Sequence, residues 1–169
     1  MTQILKLNQN TVAELTSGMA VKVLSALDHL RSKGNVGYLP IIFDELLNTQ
    51  DVQIRDNIAG FLSEIKDSNA IKPLVEAIND QKYKSILPML VSACWQNGLD
   101  FSDHTQTFVT IFIRENFVVS IEAFSVFDNI IDFLSAEQQE NVAKEIKSAL
   151  PEMETEKQKL AQELIKLLE

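Results

Sequence analysis

Three groups of side chains have types and spacings that could do chemistry. Asp100, Asp103 and His104 fall together in DFSDHT. A histidine beside carboxylates can hold a metal or move protons. Metal sites, however, need ligands at defined spacings, and this trio matches none. Asp, Ser and His are also common at helix starts, so the segment reads as a solvated capping loop. Asp128 and Asp132 stand four apart, with Glu122 expected on the same helix. Paired carboxylates can do acid–base work, but the outer side of a helix predicts a solvated face. Cys94 is the single cysteine. A reactive thiol needs an exposed, electropositive setting, and no histidine or basic residue near it in sequence supplies one. Its position predicts a buried, inert side chain. One cysteine forms no intrachain disulfide, which fits a reducing compartment. His29 falls near the end of a long helix, where a cation suits the helix dipole. No Gly-rich phosphate loop, zinc-ligand spacing or nucleophile elbow occurs in the chain. The expectation is a non-enzyme with no catalytic, cofactor-binding or metal-ligating residues.

The elements that carry these residues emerge from DVQIRDNIAGFLSEIKDSNAIKPLVEAINDQKY, residues 51–83. Val52, Ile54, Ile58, Phe61, Leu62 and Ile65 recur mostly at spacings of three and four, a helical stripe. The polar KDSN interrupts it, with Asp67 or Ser68 as an N-cap for a second helix. Ile71, Leu74, Val75 and Ile78 form the stripe of that helix. Pro73 falls in its first turn, where the missing N–H has no intrahelical acceptor. The segment is an αα-hairpin, and one hairpin cannot bury two apolar faces alone.

The neighbours are in the chain. Against Ile54, Ile58, Ala59, Leu62 and Ile65, a shift of 35 back gives Met19, Val23, Leu24, Leu27 and Leu30. A shift of 32 forward gives Ile86, Leu90, Val91, Cys94 and Asn97, failing only at the last. A shift of 65 forward gives Val119, Ala123, Phe124, Phe127 and Ile130. The second stripe likewise finds Leu39, Ile42, Phe43 and Leu46, then Thr105, Phe108, Val109 and Phe112, then Gln139, Val142, Ala143 and Ile146. The matches define four hairpins, roughly 19–50, 51–82, 83–116 and 117–150. Pro40 and Pro88 fall near helix starts, Ser85 and Ser102 precede apolar stripes as N-caps, and Ser135-x-x-Gln138 is a capping box. Pro151 closes the fourth hairpin. Thr11-x-x-Glu14 caps a short helix within an N-terminal cap, 1–18, which Gly18 loosens or ends. Residues 152–169, with Leu160, Leu164, Leu167 and Leu168 on one side, read as a C-terminal capping helix or an amphipathic partner-binding helix. Trp95, Tyr83, Phe101 and Phe117 fall at repeat junctions, where packing is the default role.

The hairpin 51–82 resembles a HEAT repeat of the short bacterial kind, through Asp51, Val52, Arg55, Ala59 and Asp80. The other three share only the apolar skeleton. The resemblance implies an all-α fold, a single-domain α-solenoid of about four HEAT-like hairpins with terminal capping helices. It also implies a concave surface lined by the second helices and a role as an interaction scaffold. On that surface the polar positions outside the apolar stripes are Asp44 and Glu45, then Lys72, Glu76 and Asn79, then Gln106, Thr110 and Arg114, then Glu140, Lys144 and Lys147.

Charge narrows the partner. The net charge is −9 over 169 residues. Residues 100–156 hold 12 acids and 3 bases, while 1–99 and 157–169 are nearly neutral. A nucleic-acid binder needs clustered cations, so the expected partner is a protein with a basic surface. The same acidic field also serves solubility. No run is apolar enough to span a membrane, and the N-terminus lacks signal-peptide character. The expectation is a cytoplasmic, monomeric adaptor. HEAT-like proteins that process nucleic acid, or that act as ligand or chromophore lyases, are the alternatives. The first needs a basic groove, the second an apolar pocket with convergent polar groups.

Overall fold

The computed structural model describes residues 7–33 and 36–169. Residues 1–6, part of the expected N-terminal cap, lie outside the described residues. Among the described residues, ten α-helices and no strand occur. They are α1 (Gln9–Leu15), α2 (Ala20–Lys33), α3 (Leu39–Asn48), α4 (Val52–Glu64) and α5 (Ile71–Asn79). After these come α6 (Leu87–Gln96), α7 (Thr105–Arg114), α8 (Phe117–Ile130), α9 (Ala136–Ala149) and α10 (Thr155–Leu168). Each of the four hairpin intervals thus contains two α-helices. The chain packs as two compact units, Met1–Ile86 and Leu87–Glu169.

The helix starts arise from side chains that accept the first N–H groups. Asp51 accepts from Gln53 and Ile54 at 2.8 and 3.3 Å. Asn116 accepts from Val119 at 3.1 Å. Ser135 and Gln138 form the reciprocal capping box, at 3.2 and 2.9 Å. Each such cap contributes about 1 kcal/mol. Elsewhere the expectation is corrected. Asn8, not Thr11, caps α1; Thr11 is buried inside it. Ser85 falls within the 3-10 turn Gln81–Ile86, and Ser102 opens the 3-10 turn Ser102–His104. These turns run directly into α6 and α7, so the preceding backbone takes over part of a cap's work. Asp67 caps a similar turn, Ser68–Ala70, rather than α5 itself.

In the first unit α2 packs on α4 and α3 on α5, while α1 lies against α2 and α3. Val23, Leu27, Ile42, Leu46, Ile54, Ile58, Leu62 and Leu74 are fully buried between them. Met19 is not part of that core. It precedes α2, just after Gly18 at φ +64°, and is exposed. Ala59 and Ile65 are half-buried. Tyr83 fastens the hairpins polarly: its hydroxyl donates to Asp44 Oδ1 at 2.6 Å while its ring meets Phe43 edge-on at 5.9 Å.

In the second unit α6 packs on α8 and α7 on both α8 and α9, and α10 covers α8 and α9. Phe101, Phe108, Phe112 and Phe127 are fully buried, with Phe101 and Phe108 edge-on at 5.7 Å. Such rings contribute most of the burial energy of a small core. Asn97, the mismatch in the first-helix template, is nonetheless buried, at 1 % exposure. Its Oδ1 accepts from Leu99 N at 2.9 Å across Gly98, whose φ of +67° ends α6. Lys157 of α10 is buried too. Its ammonium donates to the carbonyls of Ile113 and Glu115 at 2.7 and 2.6 Å, where α7 ends. It therefore completes the open carbonyl end of a helix with a positive charge.

Candidate functional site

The groups considered for chemistry are dispersed. His104, Asp100 and Asp103 lie on or beside the turn before α7, and Asp100 Oδ1 is used to accept from Ser102 N at 2.9 Å. No group of three or more metal-ligating side chains occurs among the described residues. Cys94 is buried, and burial pushes its thiol far above the usual range. Its Sγ donates to Leu90 O at 3.3 Å. His29 is exposed on α2. Asp128 is exposed on α8, but Asp132 lies in the 3-10 turn Ile131–Phe133 beyond the helix. Glu122 faces inward to α6, where its Oε2 accepts from Trp95 Nε1 at 2.6 Å. Asn129 also donates to the Trp95 carbonyl. Trp95 is thus a packing residue between α6 and α8.

The second-helix positions separate by unit. In the first, Asp44 is already occupied. Besides Tyr83 it binds Lys82 Nζ at 2.5 Å. Burial pushes the Asp44 carboxyl up, but the bonds from Lys82 and Tyr83 outweigh it and hold the group below 3.8. Glu45 is half-buried, and desolvation raises its carboxyl. Lys72 and Glu76 form an exposed pair at 3.8 Å on α5. Asn79 Nδ2 donates to Val75 O at 2.8 Å.

In the second unit, Gln106 Nε2 of α7 donates to Glu145 of α9 at 3.0 and 3.2 Å. Thr110 Oγ1 donates to Gln106 O at 2.9 Å. Arg114 is exposed in a cleft of about 440 Å³ with Glu152, Glu154 and Lys157. Glu140 and Lys144 border another, of about 650 Å³, which the Lys147–Glu169 pair also lines. Most of these side chains therefore bind their own helix or its neighbour.

Two features escaped the sequence reading. The first is a cleft of about 360 Å³ in the first unit, floored by Leu30, Leu39 and Phe61 and rimmed by Arg31, Glu64 and Lys66. Arg31 donates to Glu64 at 2.8 Å and to Asp28 at 2.6 Å, and lies 5.9 Å from the Phe61 ring centroid. The second is the outer face of α8. Val119, Ala123, Val126, Phe127 and Ile130 are buried on the inner side. Outside, Val118 is 60 % and Ile121 40 % exposed, and Phe117 and Phe124 are half-buried. Phe117 joins Leu160 in an open cleft of about 500 Å³ with Glu156, Lys159 and Glu163. The available signal was FVVSIEAFSVF itself, which has almost no polar side.

No family model and no curated protein matches the chain.

Proposed function

We propose that this chain is a non-catalytic protein-interaction scaffold, a HEAT-like α-solenoid of four hairpins that binds a basic partner. The observation that carries the reading is the stacking order within each unit. α2 meets α4 and α3 meets α5; α6 meets α8 and α7 meets α9. First helices stack on first and second on second, the arrangement by which solenoids bury a continuous core and present repeated faces to partners. The acid excess of residues 100–156 favours a cationic surface on that partner. Among the described residues no helix is long and apolar enough to cross a membrane.

The test is affinity capture from native lysate at low and high salt, beside a variant with Asp128, Asp132, Glu137 and Glu140 reversed to lysine. Glu122 is left intact because its reversal would break the Trp95 bond. The expected result is a partner retained by the parent at low salt and lost at high salt and by the variant. Absence of any specific capture overturns the reading.

The cleft of the first unit favours a second reading, small-ligand binding. Its apolar floor and polar rim are of the kind that ligands use. Its guanidinium is engaged with two carboxylates, so a ligand must compete for it. A small-molecule thermal-shift screen tests this.

A further inference from the structure

We propose that the outer face of α8, with the first half of α10 beside it, docks a basic amphipathic helix of a partner protein. The inference rests on the interaction-scaffold reading and gives it a surface and a partner chemistry. A helix that buries one side normally presents a polar stripe on the other. On α8 that side is mixed, with Ser125 and Asp128 beside four large apolar side chains. Phe117, Ile121 and Phe124 recur at spacings of four and three, so they line one side of the helix, and Val118 widens it. Phe117 continues this strip into the cleft with Leu160 of α10.

Carboxylates border the strip. Asp128 lies one turn beyond Phe124, and Glu156 and Glu163 wall the cleft with Lys159 between them; all four are exposed. Glu163 is shared with Lys166 at 2.7 Å. Asp128 and Glu156 make no ion pair among the described residues. An apolar strip between acids fits a helix whose apolar stripe is flanked by Lys and Arg. The stripe enters the groove, and the cations meet the acids. A second copy of this chain would bring Asp128 and Glu156 against their equivalents, and an anionic lipid surface would meet the same carboxylates, with Lys159 alone opposing them.

The test uses the full chain and a fluorescent Leu/Lys amphipathic peptide of about five helical turns, read by anisotropy. A scrambled peptide of the same composition is the control. The variants are V118S/I121S and D128K/E156K, whose positions are exposed. Parallel arms use phosphatidylglycerol vesicles and sedimentation of the chain alone. The expected result is salt-sensitive binding of the amphipathic peptide, weakened about tenfold or more by either variant, with no binding of the scramble. Equal affinity of V118S/I121S and the parent overturns the proposal. So does equal affinity for the scramble, vesicle binding, or a dimer that V118S/I121S abolishes. Lysate capture unchanged by V118S/I121S overturns this surface while the scaffold reading stands; no capture at all overturns the scaffold reading.

Discussion

Replacing Lys157 with methionine asks whether a buried cation anchors α10. The ammonium donates to Ile113 O and Glu115 O, and hydrogen bonds to charged groups contribute about 1.5–3 kcal/mol each. Against them stands the cost of burying a charge, several kcal/mol after relaxation. Methionine keeps much of the stem's volume and removes both effects. The cleft beside Lys157 lets water reach the abandoned carbonyls and softens the loss. The balance is a destabilisation of about 2 kcal/mol, or roughly 8–16 °C in the melting of a unit of this size. Urea and thermal unfolding followed by far-UV circular dichroism measure it. Burial lowers the Lys157 pKa below 10.5, and Glu115 and Glu154 only partly offset that. The folded state therefore holds the proton less tightly than the unfolded one. Parental stability must rise with pH through the folded-state pKa towards 10.5, since a neutral amine still donates to both carbonyls. The gap between parent and K157M should widen over that window. A methionine variant equal to or more stable than the parent would refute the reasoning and mean that desolvation wins.

Y83F removes the donor to Asp44 and should cost about 1 kcal/mol in urea unfolding. The Asp44 carboxyl lies below 3.8 in the fold, so its stabilisation is full above 3.8 and is lost as pH falls through the folded-state value. Y83F should flatten that acid limb. Gly98 at φ +67° has open space around it. G98A should therefore cost about 1–2 kcal/mol from backbone strain alone, read by thermal unfolding. Cys94, buried with its thiol pushed up, should resist a thiol reagent in the native protein and react at the rate of opening; rapid native labelling would contradict its placement. S135A should lose about 1 kcal/mol with the capping box, checked by chemical denaturation.

The helices were legible because their apolar residues keep a period of three and four over whole turns, as from Ile54 to Leu62. Pro40, Pro73 and Pro88 all fall in first turns, where the backbone tolerates them. The caps were less legible. A serine before a stripe resembles a cap whether the chain enters the helix directly, as at Ser135, or through a 3-10 turn, as at Ser102. Met19 kept the register of the stripe, but Gly18 places it before the helix begins. The Tyr83–Asp44 bond joins residues 39 apart, a pairing that one sequence cannot announce. Period alone also cannot say which side of α8 meets a neighbour. Phe124 therefore read as core and Phe117 as junction packing, while Val118 and Ile121 drew no notice.

The aromatic residues are divided between the units in a way that has an optical consequence. Both tyrosines, Tyr38 and Tyr83, belong to the first unit, and Trp95, the single tryptophan, to the second. Each unit thus carries its own chromophore. Tryptophan emission reports the loss of the Trp95–Glu122 contact, and tyrosine absorbance reports the release of Tyr83 from Asp44. If the two signals share one midpoint, the chain unfolds as a single cooperative block. If they separate, the units are independent foldons, and each midpoint belongs to a known half of the molecule without any label.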